Sequence, residues 1–135
     1  MRDLLTDLAR WHQQGKDVAL ARVVDLEGSG PRDPGAAMAV SGEGEVIGSV
    51  SGGCVEGAVV GEALEVLATG APRLVSFGYS DVDAFAVGLT CGGSVHLFIE
   101  PLDWTEALPA AIREHRPAVL ATVVDGPGVG DKLLL

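Results

Sequence analysis

Two cysteines stand in two separate glycine-rich turns. Cys54 lies in Gly48-Ser49-Val50-Ser51-Gly52-Gly53-Cys54-Val55-Glu56, Cys91 lies in Gly88-Leu89-Thr90-Cys91-Gly92-Gly93, and the chain has no other cysteine. A thiolate is both a nucleophile and a soft metal ligand. Glycine on either side strips away competing side chains and lets backbone and sulfur approach a ligand closely. A cysteine kept for packing is more often found inside an apolar run. The blander reading of each cysteine is a small buried residue closing a tight turn. Two glycine-flanked thiols in one chain favour a thiol- and amide-lined site for a small ligand.

The Cys54 segment reads as strand, glycine turn and helix. The first N–H groups of a helix lack internal partners, and with the helix dipole they form an anion site suited to phosphate. Ser51, Gly52 and Gly53 are its candidate backbone donors, with Cys54 near the N-cap. The dipole contributes about 0.3–1 kcal/mol, too little to ionise a thiol fully at neutral pH, so a metal or another cation must complete the ionisation. Arg32, between Pro31 and Asp33 in a stiff loop, is a candidate to hold a phosphate or carboxylate, or else a surface arginine paired with an acid. Glu56, in the first helical turn, is most simply a residue that suits the dipole, with proton handling as a secondary role. Glu27 is similar. Structural zinc is a poor fit, because a closed site wants four Cys/His ligands with local pairs, and His12, His96 and His115 give no pair at ligand spacing. The sequence shows no Cys-x-x-Cys motif, no P-loop and no Ser/His/Asp arrangement.

These residues need elements to hold them. Leu4, Leu5, Leu8 and Trp11 predict a helix over 3–14, stopped at Gly15. Strands are expected at 18–24, 37–40, 46–50, 73–77, 94–100 and 118–124, with a hairpin through Gly42-Glu43-Gly44-Glu45. A helix is expected over 55–69 with Gly70 closing it, another over 105–114, and a helical turn near 81–87. Gly57 and Gly61 are four apart on one helix face, where each costs about 1 kcal/mol against alanine, so close approach of a neighbouring element is expected there. Lys132-Leu133-Leu134-Leu135 reads as the start of a strand whose edge seeks a partner.

The chain has 135 residues, 47% of them apolar, which suits a single α/β domain with a real core. The expected architecture is a mixed sheet of short strands packed by two or three helices, with the two cysteine loops converging at one end. A formal net charge of −10 argues against sequence-independent nucleic-acid binding and against anionic membranes. No signal-peptide pattern and no apolar segment of spanning length is present, so a cytoplasmic setting with free thiols is expected.

Four blocks resemble the XdhC/CoxI family, accessory proteins of xanthine dehydrogenase and carbon monoxide dehydrogenase. They are Glu27-Gly28-Ser29-Gly30-Pro31-Arg32, Gly48 to Glu56, Phe77-Gly78, and Gly88 to Gly93. The resemblance covers residues 1–103 well and 104–135 more loosely, so 1–103 is expected to be the family's N-terminal domain. Residues 104–135 then complete it as a helix and strand hairpin, or link to a C-terminal Rossmann-like domain. The resemblance implies a chaperone rather than an enzyme, one that carries molybdenum cofactor (molybdopterin), holds it for sulfuration and delivers it to a molybdenum hydroxylase. It implies Cys54 and Cys91 as ligands of molybdenum or its sulfido group. It implies Ser51, Gly52 and Gly53 as partners of the pterin phosphate, with Arg32, Glu56, Gly92 and Gly93 completing the site. A cysteine desulfurase is a further implied partner, and self-association is expected from the small-residue helix face. Two other readings stay open: a docking module for the hydroxylase or desulfurase, and a thiol-based sulfur-transfer protein.

Overall fold

The computed structural model describes residues 4–27, 32–53, 55–78, 93–102, 110 and 114–135. The chain divides into two units, Met1–Pro101 and Leu102–Leu135. The first opens with helix α1 (Leu5–Gln13), whose Leu8 and Trp11 are buried. Strands β1 (Val18–Glu27), β2 (Ala37–Ser41) and β3 (Val46–Gly48) follow, then helix α2 (Glu56–Thr69) and strands β4 (Arg73–Gly78) and β5 (Ser94–Pro101).

The strands form one sheet in the order β3-β2-β1-β5-β4. The α/β class is as expected, and every pairing in this sheet is antiparallel rather than mixed. The chain reverses between β1 and β2, between β2 and β3, and between β4 and β5. Strands joined by such reversals pair antiparallel, whereas parallel neighbours need a long crossover. β1 occupies the centre because Val18-Ala19-Leu20-Ala21 is apolar on both faces and fully buried. Ala19, Ala21 and Val23 face α2 with Met38, Val40, Val95, Leu97 and Ile99, and Val59, Ala63 and Val66 of α2 pack onto them. Leu20, Ala39 and Phe98 alternate away from that cluster and are buried too.

Local chemistry accounts for the element ends. Gly70 closes α2 at φ +72° and returns its N–H to Val66 O at 2.8 Å, a left-handed cap. β1 runs on to Glu27, beyond the expected 24, because a bulge between Val23 and Asp25 lets it follow β5 to its first residue. β3 stops at Gly48, short of the expected 50, because Gly48 turns to φ +80° and leaves the ladder. Ser41 braces the β2–β3 hairpin by accepting the N–H groups of Glu43 and Glu45 on its hydroxyl. Lys16, ahead of β1, pairs with Glu43 and Glu45 of that hairpin.

The expectation for Gly57 and Gly61 is corrected. A Cβ at either position meets nothing within 4 Å among the described residues, so none of the described elements uses the space. The second unit holds an antiparallel pair, β6 (Leu120–Thr122) with β7 (Lys132–Leu134), so the final leucines are a paired strand. Most of the helix expected at 105–114 and the turn expected at 81–87 lie outside the described residues. Glu114 N–H does donate to Ala110 O at 3.0 Å with helical spacing. None of the described helices is long and apolar enough to cross a membrane.

The glycines separate into required and dispensable. At Gly48 a Cβ would stand 2.5 Å from Ala37 O and 2.8 Å from a Leu4 methyl, in a left-handed conformation. Gly48→Ala is expected to destabilise by about 2 kcal/mol or more. Gly57→Ala and Gly61→Ala should each stabilise by roughly 0.5–1 kcal/mol. Urea midpoints at constant m-value measure all three, and destabilisation by the helical pair would mean that face is covered.

Candidate functional site

Strand direction collects the motifs. β1 runs toward one end of the sheet, and its last residue, Glu27, is opposite Ser94, the first of β5. Ser94 is also opposite Gly78, the last residue of β4. β2 starts beside Arg22 with Ala37, and β3 returns to the same end at Gly48. Three segments therefore leave this one end: 28–36 with Arg32, 49–55 with Cys54, and 79–93 with Cys91. The described flanks of the glycine-rich blocks, Glu27, Gly48, Gly78 and Ser94, stand at this end although they are dispersed along the chain. Cys54, Cys91 and Gly92 themselves lie outside the described residues. Gly93 leads directly into β5.

The turn before α2 is built around one carboxylate. Glu56 Oε1 accepts the Ser49 hydroxyl at 2.7 Å, Val50 N–H at 3.2 Å and Ser51 N–H at 2.9 Å. Its Oε2 accepts the Ser51 hydroxyl at 2.6 Å and Gly53 N–H at 2.9 Å. Gly52 N–H donates to Ser49 Oγ at 2.9 Å, and Val55 N–H donates to Ser51 Oγ at 3.0 Å. Ser51 is buried, whereas Gly52 and Gly53 are exposed at φ +73° and +113°. A Cβ on Gly53 would meet nothing within 4 Å among the described residues.

This arrangement changes the reading of the helix terminus. Its anion position is filled by the protein's own Glu56. A phosphate seeking the amides of Ser51, Gly52 and Gly53 would compete with Glu56 and Ser49 for the same N–H groups. Partial burial pushes the Glu56 carboxyl up. The hydroxyls of Ser51 and Ser49 and the N–H groups of Ser51 and Glu56 outweigh it and bring the group down to about 2. A first-turn glutamate behind two serines was the available sequence signal for this role.

Arg32 is exposed, in the segment that also returns Gly35 N–H to Val23 O at 2.8 Å. Elsewhere among the described residues of the first unit, arginine and lysine are matched to carboxylates. Arg10 meets Asp7, Lys16 meets Glu43 and Glu45, Arg22 meets Glu100, and Arg73 meets Glu62 and Glu65. Arg32 has no such partner among the described residues. At Gly78 a Cβ would stand 2.4 Å from Ser94 Oγ, so the Phe77-Gly78 block allows β4 and β5 to close there. No group of three or more metal-ligating side chains occurs among the described residues.

The low Glu56 value makes a pH prediction. The folded-state value lies below the ordinary 4.5, so its stabilisation is complete above 4.5 and is lost as pH falls from about 4.5 toward about 2. Allowing for solvent screening at this partly exposed group, the effect is on the order of 2 kcal/mol. Denaturation between pH 7 and pH 2 should show Glu56→Gln less stable at neutral pH by about that amount, with the difference shrinking in acid. A constant difference across the range would remove the ionised carboxylate from its bracing role.

The chain has known relatives. It is 37% identical over 98 residues to the molybdenum cofactor insertion chaperone PaoD of Escherichia coli K12, spanning 73% of this chain and 30% of PaoD. It is 37% identical over 97 residues to the uncharacterised protein YqeB of the same organism, spanning 72% of this chain and 18% of YqeB. The chain thus corresponds to less than a third of either relative. A crystal structure of a xanthine dehydrogenase from Bacillus halodurans matches 99% of this chain and 41% of its own, with TM-score 0.80 and 23% identity, a likeness of fold. The model of the XdhC and CoxI family matches residues 11–78, from α1 through the Cys54 turn to the end of β4. That match takes in half the chain and three of the four glycine-rich blocks, and the chain belongs to the XdhC and CoxI family.

Proposed function

We propose that this chain is a molybdenum cofactor chaperone domain, which carries the cofactor as cargo for insertion into a molybdenum hydroxylase. The observation that supports this most is convergence: the segments bearing Arg32, Cys54 and Cys91 leave a single end of one sheet. The relationship to PaoD, a protein named for molybdenum cofactor insertion, points the same way.

The donor set suits such a cargo. Thiolates of Cys54 and Cys91 match a soft, sulfur-rich metal centre. Exposed Gly52 and Gly53 give that cargo close approach beside Cys54. The pterin phosphate is best assigned to Arg32, which lacks an internal carboxylate partner among the described residues, with the amides of Ser51, Gly52 and Gly53 in a secondary role. Glu56 holds the turn in shape and is not a ligand in this reading. Gly92 and Gly93 serve the Cys91 turn as Gly52 and Gly53 serve Cys54. A sulfur donor of the cysteine desulfurase class would reach the cargo at this same end, and the domain needs no turnover of its own.

The test is cargo retention. The protein is mixed with molybdenum cofactor released from a denatured molybdoenzyme and desalted, and co-eluting molybdenum and pterin are quantified. Near-stoichiometric retention is expected, at least tenfold weaker in Cys54→Ser and reduced in Arg32→Ala, with unfolding midpoints unchanged. That loss corresponds to about 1.4 kcal/mol or more of binding. Retention equal to the wild type in Cys54→Ser and Cys91→Ser alike would overturn the thiol assignment. Cofactor-independent capture of a hydroxylase, unaffected by either change, would favour a docking module.

A further inference from the structure

A second polar constellation lies at the motif end, on the opposite sheet face from α2. Val95 and Leu97 pack toward α2, so His96 between them points away, and Ser76 alternates likewise with Val75 and Phe77. Beyond the β1 bulge, Leu26 packs on the core and Glu27 takes the other face. Three strands thus bring one side chain each to the same spot. Ser76 Oγ lies 2.6 Å from His96 Nδ1, and His96 Nε2 lies 3.4 Å from Glu27 Oε1. The Nε2 atom is closed off from solvent and makes no well-aligned hydrogen bond, so Glu27 is its available acceptor. A carboxylate opposite Nε2 disfavours the tautomer that would set a bare ring nitrogen against it. The Ser76 hydroxyl then donates to Nδ1, and Nε2–H faces Glu27.

The placement joins the roots of two motif segments. Glu27 is the last residue before 28–36, which carries Arg32. Ser76 stands three residues before the start of 79–93, which carries Cys91, and His96 stands three residues after its end. We propose that Ser76, His96 and Glu27 form a positioning latch, in which His96 holds Glu27 and so ties the root of the Arg32 segment to strands β4 and β5. The inference rests on the cargo-carrying reading for its purpose, though not for its geometry. His96 is a positioning residue here, acting through Glu27 and Arg32.

The test separates the two ring nitrogens. An asparagine amide reproduces the Nδ1 position beside Ser76, and a glutamine amide reproduces the Nε2 position facing Glu27. Amide hydrogen exchange reads the latch directly in the full chain. Gly35 and Ala36, whose N–H groups bond Val23 O and Asp33 O, report on the Arg32 segment, and Leu20 and Leu97 report on the core. His96→Asn should speed exchange at Gly35 and Ala36 by roughly tenfold and weaken cofactor retention by a similar factor, with core amides unchanged. His96→Gln should stay close to the wild type in both, and Glu27→Ala should match His96→Asn. Adding Glu27→Ala to His96→Asn should bring little further loss, because the two act as one unit. Unchanged exchange at Gly35 and Ala36 in His96→Asn would overturn the latch, and so would equal acceleration of the core amides. If the wild-type protein retains no cofactor, the cargo reading fails by itself and the exchange rates still decide the latch.

Discussion

The carboxylate of Glu56 is the constraint on which the Cys54 turn depends. Two oxygens accept five donors, two of them serine hydroxyls and three of them backbone amides. Without that acceptor, a glycine-rich turn has little to select one backbone path among many, because glycine loses more freedom on folding than other residues. The same carboxylate satisfies the positive end of α2. Gly53 and Val55, the neighbours of Cys54, are both fastened through it, Gly53 directly and Val55 by way of Ser51. The turn is thus held on both sides of Cys54, and its amides are already engaged within the protein.

Sheet topology does for the whole end what Glu56 does for one turn. In an antiparallel sheet, alternate connections fall at alternate ends. Here the connections at one end are the hairpin through Gly42–Glu45 and the turn after α2, both short. Those at the other end are the three segments bearing the motif residues. The close β4–β5 contact at Gly78 and the left-handed exit from β3 at Gly48 are backbone conditions for that convergence. Each glycine sits where a Cβ would collide, which gives those two positions a steric reason that Gly57 and Gly61 lack.

Charge adds selectivity to this shape. The chain carries a formal net charge of −10, which discourages anions in general. Within the first unit the described cations are consumed locally by carboxylates, apart from Arg32 at the motif end. Under the proposed function, Arg32 supplies the local attraction that an anionic cargo needs against this acidic background.

Much of this was legible in the sequence, because it rests on short-range patterns. Apolar periodicity located α2 nearly to the residue, glycine and proline marked the turns, and the paired thiol turns identified the family. The role of Glu56 was only half legible: a first-turn glutamate is visible, but which N–H groups it takes depends on how the turn folds back. The Gly57–Gly61 reading failed because whether a neighbour uses a helical glycine is a matter of packing. The grouping of Ser76, His96 and Glu27 was beyond reach, since no spacing rule links residues on three strands. Residue types alone determined which chemistry this chain can offer: soft thiols, bare backbone and few cations. Strand order and register decided which segments leave the same end of the sheet, because pairing across a sheet is set by long-range burial of both faces of β1 and not by proximity along the chain.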